Sequence, residues 1–394
     1  MTVQNRVINF ADTRIAFSSK SNLELRKSYL LFNSMDYPWL VKLGTSLIST
    51  SFKLGLPIKG IVKNTLFNQF CGGESIQDCE NTIQKLGKFH IGTILDYSVE
   101  GKKSDESFDF TTEEIIRTIV KASQEPNIPF SVFKVTGICA IPILEKLQAG
   151  TPLNTQENTE WEKAQQRVLK ICETAHHHKV RIFIDAEETW IQAVIDELAF
   201  RMMEKFNQKE AIVYNTYQMY LHAKLAQLKT DLDTAATKGY KLGVKLVRGA
   251  YMEKESERAS TMGYENPIQP SKDACDQDYN AALRFLVENS QYMALCAGTH
   301  NEDSSLYLTQ LMAQHNISAQ HPNFFFAQLY GMSDHISYNL ANATYNVAKY
   351  VPYGPVKEVM PYLFRRAEEN TSIAGQSSRE LLLVREEMKR RQQL

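Results

Sequence analysis

The sequence predicts an α/β fold: a distorted (β/α)8 TIM barrel with an N-terminal helical extension. Three observations predict it. Beyond about residue 88, eight short apolar, β-branched runs alternate with longer stretches of helical periodicity. The runs are nearly continuous rather than alternating in polarity, as strands covered on both faces of a parallel sheet are. Roughly 300 residues remain for the eight units, and a closed barrel needs about 250.

The elements follow in order. MTVQNRVINFADTR lacks the charged-then-apolar layout of a signal peptide. LELRKSYLLFNSM and PWLVKLGTSLISTSFKLG carry helical periodicity, so residues 1–87 read as a helical arm or cap on a barrel of residues 88–394. The apolar region Tyr29–Val62 is interrupted by Asp36, Lys42, Lys53 and Lys59, too often for a membrane span. Packing on its own domain is expected ahead of resting on a membrane, which leaves at most peripheral membrane contact. The eight runs are FHIGTILDYS, PFSVFKVTGI, VRIFIDAEE, AIVYNTYQMY, KLGVKLVRGAY, MALCAGTHN, NFFFAQLYG and AKYVPYG. Each turns polar at its end, at Asp96, Lys134, Asp185, Gln218, Arg248, His300, Gln328 and Tyr350. Strand ends of that polarity form the active face of a barrel.

Composition narrows the function. Net charge is −1, from 44 basic and 45 acidic residues, so no overall field draws the protein to nucleic acid. The six cysteines form no CxxC pair or zinc spacing and read as reduced thiols of a cytoplasmic protein. No GxGxxG, GxxxxGK[ST] or GxSxG motif is present, which argues against a Rossmann site, a P-loop and a nucleophile elbow. His176, His177 and His178 lack the spacing of a helical metal pair and read as a solvated helix end. Lys134, inside an apolar run, is a candidate Schiff-base lysine, so a lysine-dependent aldolase stays open on the residues alone.

After the eighth run comes YLFRRAEEN, Tyr362 to Asn370. Tyr362, Arg365, Arg366 and Glu369 are spaced i, i+3, i+4, i+7 and share one face of a helix, with Pro361 tolerated in its first turn. Two adjacent guanidinium forks match a carboxylate as one lysine does not.

VFKVT, FIDAEE, VKLVRGAYM, GTHN, QLYGM and YVPYG…YLFRRAEEN occur in order over roughly residues 88–375. Together they resemble the proline dehydrogenases, flavoenzymes also found as a domain of proline utilization proteins. The resemblance implies oxidation of L-proline to Δ1-pyrroline-5-carboxylate, with FAD taking the hydride and a quinone taking the electrons. By it Arg365, Arg366 and Lys134 bind the substrate carboxylate and Asp185 orients Lys134. Tyr251, Leu329, Tyr350 and Tyr362 enclose the ring. Gln218, Lys245, Arg248, Gly249, Ala250, Thr299, His300, Asn301 and Glu369 are its implied flavin contacts, and glycine and alanine at 249 and 250 let backbone approach a cofactor closely.

Two departures stand out. Lys245 precedes Arg248 where bacterial barrel domains usually have the reverse, and Met252 and GYENPIQPSKD differ from the family's adenosine side. Tyr350 favours proline over hydroxyproline, the alternative substrate. The chain ends shortly after the barrel, so a downstream aldehyde dehydrogenase is not expected within it, and a pyrroline-5-carboxylate dehydrogenase is a possible partner. The quinone allows a peripheral position on an inner membrane.

Overall fold

The computed structural model describes residues 8–99, 104–369 and 379–392; Asn370, the last residue of YLFRRAEEN, and the first seven residues of the signal-peptide reading lie outside them. The eight strands are β1 (Ile91–Tyr97), β2 (Phe130–Phe133), β3 (Arg181–Ile184), β4 (Val213–Gln218), β5 (Leu242–Val247), β6 (Met293–Gly298), β7 (Phe324–Leu329) and β8 (Val347–Tyr353). They follow one another in sequence order around a closed barrel with helices between them. Seven of the predicted runs contain their strand whole, and β8 begins one residue ahead of its run, at Val347.

By its contacts the chain divides into two compact units, Gly101–Ala327 on one hand and Met1–Glu100 with Gln328–Leu394 on the other. The expected boundary at residue 87 falls inside the second of these, between the helix Glu80–Gly87 and β1.

In Gly101–Ala327, strands pair in parallel, with Phe133 opposite Ile184, Gln218 opposite Val247 and Leu246 opposite Ala297. Large rings fill the interior: Phe130 stacks on Phe183 at 4.4 Å and meets Tyr214 and Phe325 edge-on. Such ring pairs add to the area they bury. Helix starts are defined by sequence, as at Asn154, whose side chain accepts from the Glu157 amide while Glu157 accepts from its amide. His176 to His178 close the helix Thr155–His178, with His176 and His177 exposed.

In the other unit β1 and β8 pair along their whole length, from Ile91 opposite Val347 to Tyr97 opposite Tyr353. Tyr350 therefore stands in mid-strand rather than at the strand's end. The proline two residues on looks like a terminator, but its carbonyl still accepts, at 2.9 Å, from the Gly72 amide, and only its missing N–H is lost. The arm helix Asn22–Met35 begins with a capping box between Ser21 and Glu24, and Pro38–Lys53 begins with its proline. Phe17, Leu25, Phe32 and Phe67 of the arm share one apolar cluster with Val359, Met360, Leu363, Leu381 and Val384. The arm is thus built together with Met360–Glu369 and Arg379–Gln392, the helices that follow β8.

Candidate functional site

Strand ends in Gly101–Ala327 gather most of the predicted cofactor residues. Lys245, in β5, and Asp185, directly after β3, are both buried, and their charged atoms lie 2.6 Å apart. The Lys245 ammonium also sits 5.2 Å from the Phe183 ring centroid. Burial makes such a pair a fixed feature, because each charge without the other would be costly to hold. Lys134 directly follows β2 and is half-buried.

Arg248, directly after β5, is held on three sides. Its Nε donates to Asp276 at 2.6 Å, Nη1 to the Thr299 hydroxyl at 2.6 Å and Nη2 to Ser304 at 2.9 Å, while Tyr279 lies under it at 4.3 Å. Thr299 accepts in turn from the Asn301 amide, and Asn301 caps the helix Glu302–Gln314 by accepting from Ser304. Three residues of GTHN-to-helix geometry are therefore tied to RGAY through one guanidinium. Gly249, Ala250 and His300 are exposed beside these fixed groups, and Tyr251 is half-buried at the start of the helix Met252–Met262.

Gly249 has φ +139°, and a Cβ there would lie 2.4 Å from the Tyr220 ring. The glycine is thus required by backbone conformation and by Tyr220. Gln218 ends β4 and donates through Nε2 to the Glu187 carbonyl at 2.8 Å.

Glu187, the fifth residue of FIDAEE, is a hub that motif reading does not mark. Its buried carboxylate accepts from the Thr136 amide at 3.0 Å and from the Thr136 hydroxyl, two residues beyond Lys134, and its amide donates to Gln192 at 2.7 Å. Burial pushes its carboxyl up to about 7, against the opposing pull of Lys134 and the Thr136 bonds. Three acidic residues closing an apolar strand were the available signal. Asp276 left none, since it lies in the helix Lys272–Glu288 far along the chain from Arg248.

In the other unit the helix Met360–Glu369 follows β8, with Pro361 in its first turn. Tyr362 and Arg366 are buried, Arg365 is half-buried and Glu369 is exposed. Arg366 donates to Glu369 at 2.6 Å, and its guanidinium carbon lies 5.1 Å from the Tyr362 ring centroid. The spacing therefore does bring Tyr362, Arg366 and Glu369 into contact. The Tyr362 hydroxyl is buried and has no hydrogen-bond partner among the described residues, a vacancy that a polar ligand atom would relieve. Tyr350 is buried in β8, and its carbonyl accepts from the Tyr330 amide at 2.9 Å, next to Leu329 at the end of β7.

All six cysteines are buried and free, and burial pushes the Cys79, Cys139 and Cys296 thiols up to about 12, far from a reactive thiolate. Among the described residues no group of His, Cys, Asp and Glu is suited to a metal ion, and no helix is long and apolar enough to cross a membrane.

The family model for proline dehydrogenase matches residues 79–379. The chain belongs to the proline dehydrogenase family. Among family relatives, proline dehydrogenase 1, mitochondrial, of Dictyostelium discoideum is 35% identical over 96% of this chain and 74% of its own length. The hydroxyproline dehydrogenase of Xenopus laevis is 32% identical over 98% of this chain and 90% of its own. Among solved structures, proline utilization A from Bdellovibrio bacteriovorus superposes with a TM-score of 0.71 at 19% identity, over 93% of this chain and 37% of that one. That likeness supports the barrel, and the chain spans about a third of that protein's length. Membership in the proline dehydrogenase family displaces the lysine-dependent aldolase that Lys134 alone had left open.

Proposed function

We propose that this chain oxidises L-proline to Δ1-pyrroline-5-carboxylate with FAD as bound oxidant and a quinone as final acceptor. The observation that carries the reading is the family match over residues 79–379, which encloses every motif used to assign a role.

Arg365 and Arg366 take the substrate carboxylate, joined by Lys134, because paired planar donors fix a carboxylate in orientation as well as position. The unpartnered hydroxyl of buried Tyr362 favours a polar ligand atom near that helix. Tyr251, Leu329, Tyr350 and Tyr362 give the ring an apolar surround. Gln218, Lys245, Arg248, Gly249, Ala250, Thr299, His300 and Asn301 hold the flavin, with Glu369 as a further contact. Two features of the donor set suit that group: cations that are already locked, Lys245 by Asp185 and Arg248 by Asp276, and exposed backbone at Gly249 and Ala250 beside them. Bound FAD supplies a two-electron acceptor for the hydride on the ring carbon beside nitrogen. The proline nitrogen must be neutral before that hydride leaves, so activity rises toward alkaline pH. Asp185, which also pairs with Lys245, keeps Lys134 charged and oriented, and the Glu187 carboxylate acts on the same lysine.

The amphibian hydroxyproline dehydrogenase relative keeps hydroxyproline as the second reading. Tyr350, bulky and buried, favours proline by filling room that a ring hydroxyl would need.

The test is the visible spectrum of the purified protein before and after anaerobic L-proline, then trans-4-hydroxyproline. Flavin bands bleached more readily by proline are expected. Flavin bands unmoved by proline would overturn the substrate, and a protein that binds no flavin would overturn the cofactor.

A further inference from the structure

In the unit that holds β1 and β8, the register of the two strands shows what the end of β1 presents to the barrel mouth. Lys349 pairs at 3.0 Å with Asp334, the first residue of the helix Asp334–Asn342, so it points out to the helix layer. Tyr97 and Tyr353 meet on that same outer side, with ring centroids 5.5 Å apart. Side chains alternate along a strand, so Tyr350 and Pro352 point into the barrel. Ile94 stands opposite Tyr350 and Asp96 opposite Pro352. Asp96 therefore shares the inner face with Tyr350, one step nearer the mouth.

Asp96 is 8% exposed, and the hydroxyl of buried Ser98 donates to its Oδ2, which fixes the direction of the carboxylate. It lies within electrostatic range of the Tyr362 hydroxyl: burial raises the Tyr362 phenol, Arg366 opposes that rise, and Cys71 and Asp96 add to it. That hydroxyl is the buried one that lacks a hydrogen-bond partner among the described residues. A carboxylate in this place has a use that no group assigned so far fills. Arg365, Arg366 and Lys134 take the substrate carboxylate, and tyrosines enclose the ring. The ring N–H still needs an acceptor, because an unmade bond at a buried donor is costly. Loss of hydride from the neighbouring carbon also leaves positive charge on that nitrogen, and a fixed carboxylate counters charge as it develops. The other acids are engaged elsewhere: Asp185 with Lys245, Glu369 with Arg366 and Glu187 with Thr136.

We propose that Asp96 accepts the N–H of the substrate's ring nitrogen and stabilises the positive charge which that nitrogen gains as hydride leaves. This deepens the proposed function and rests on it, since it assigns the nitrogen pole of the same substrate. Ser98 acts through Asp96, as a positioning residue.

The experiment compares the flavin-loaded parent chain with Asp96→Asn and Ser98→Ala. Turnover of L-proline is followed with a soluble dye. Calorimetry measures the affinity for tetrahydrofuran-2-carboxylate, which keeps the carboxylate and the ring but has an ether oxygen in place of N–H. Asp96→Asn should lower kcat for proline roughly 100-fold with a smaller rise in KM. It should bind the ether at least as tightly as the parent, because an ether oxygen gains nothing from a facing carboxylate. Ser98→Ala, which keeps the carboxylate but frees it, should lower kcat less and leave ether binding as it was. Unchanged proline turnover in both variants would overturn the assignment. So would parallel losses of proline turnover and ether affinity, the mark of a group that holds the site's cations or its fold rather than the substrate nitrogen. Where Asp96→Asn does not fold, Ser98→Ala alone decides in the same way. A parent chain that binds flavin and the ether but oxidises no proline would sink the functional reading itself, and the assignment with it.

Discussion

Lys245, within β5, and Asp185, directly after β3, stand 2.6 Å apart and are both buried, on two strands that are not neighbours in the barrel. Removing one partner leaves an uncompensated buried charge, which costs about 3–5 kcal/mol. Asp185→Leu and Lys245→Met should therefore each lower stability by that order, and Lys245→Met/Asp185→Leu by clearly less than the two single changes together. Urea unfolding of the four proteins measures the coupling.

Glu187 makes a prediction whose sign is opposite to that of most carboxylates. Its folded pKa, about 7, lies above its ordinary value, so the folded state holds a proton that the unfolded chain has released. The stabilisation is complete below about pH 4.5, declines through pH 5 and 6, and is gone once pH passes about 7. Stability of the flavin-free protein should fall across that window, and Glu187→Gln should flatten the fall. An unchanged slope in the variant would assign the titration elsewhere.

Lys349 in β8 is buried, 3.0 Å from Asp334, which also pairs with Lys20 at 3.3 Å. Burial alone would raise the Asp334 carboxyl, but Lys349 and Lys20 outweigh it and bring it down to about 2. The resulting stability is present above about pH 4 and lost as pH falls through 2. Asp334→Ala should cost about 3–5 kcal/mol at neutral pH and remove that part of the acid transition; thermal unfolding at pH 7 and pH 3 tests both.

Arg366 and Arg365 are proposed to hold the substrate carboxylate. A charge-assisted bond of that type contributes about 1.5–3 kcal/mol, so Arg366→Met and Arg365→Met should each raise KM for proline roughly 10- to 100-fold and keep most of the flavin. Steady-state kinetics beside the visible spectrum separate the two effects; an unchanged KM in both variants would remove the arginines from the site.

The sequence by itself determined the barrel and its order, because a strand buried on both faces must be apolar along its length and a crossover helix must be periodic. It also determined the contact of Tyr362, Arg366 and Glu369, since spacing along one helix fixes which side chains meet. Tertiary structure decided the partners that are distant in the chain. Asp185, assigned to Lys134 by resemblance, makes an ion pair with Lys245, sixty residues on. Asp276 reaches Arg248 from a helix with no local cue, and Gly249 is glycine on account of Tyr220. The arm's packing partners come from the far end of the chain, in residues 356–384. Local pattern encodes which faces are apolar, but which apolar face or buried charge meets which is settled only when the whole chain competes for the same interior.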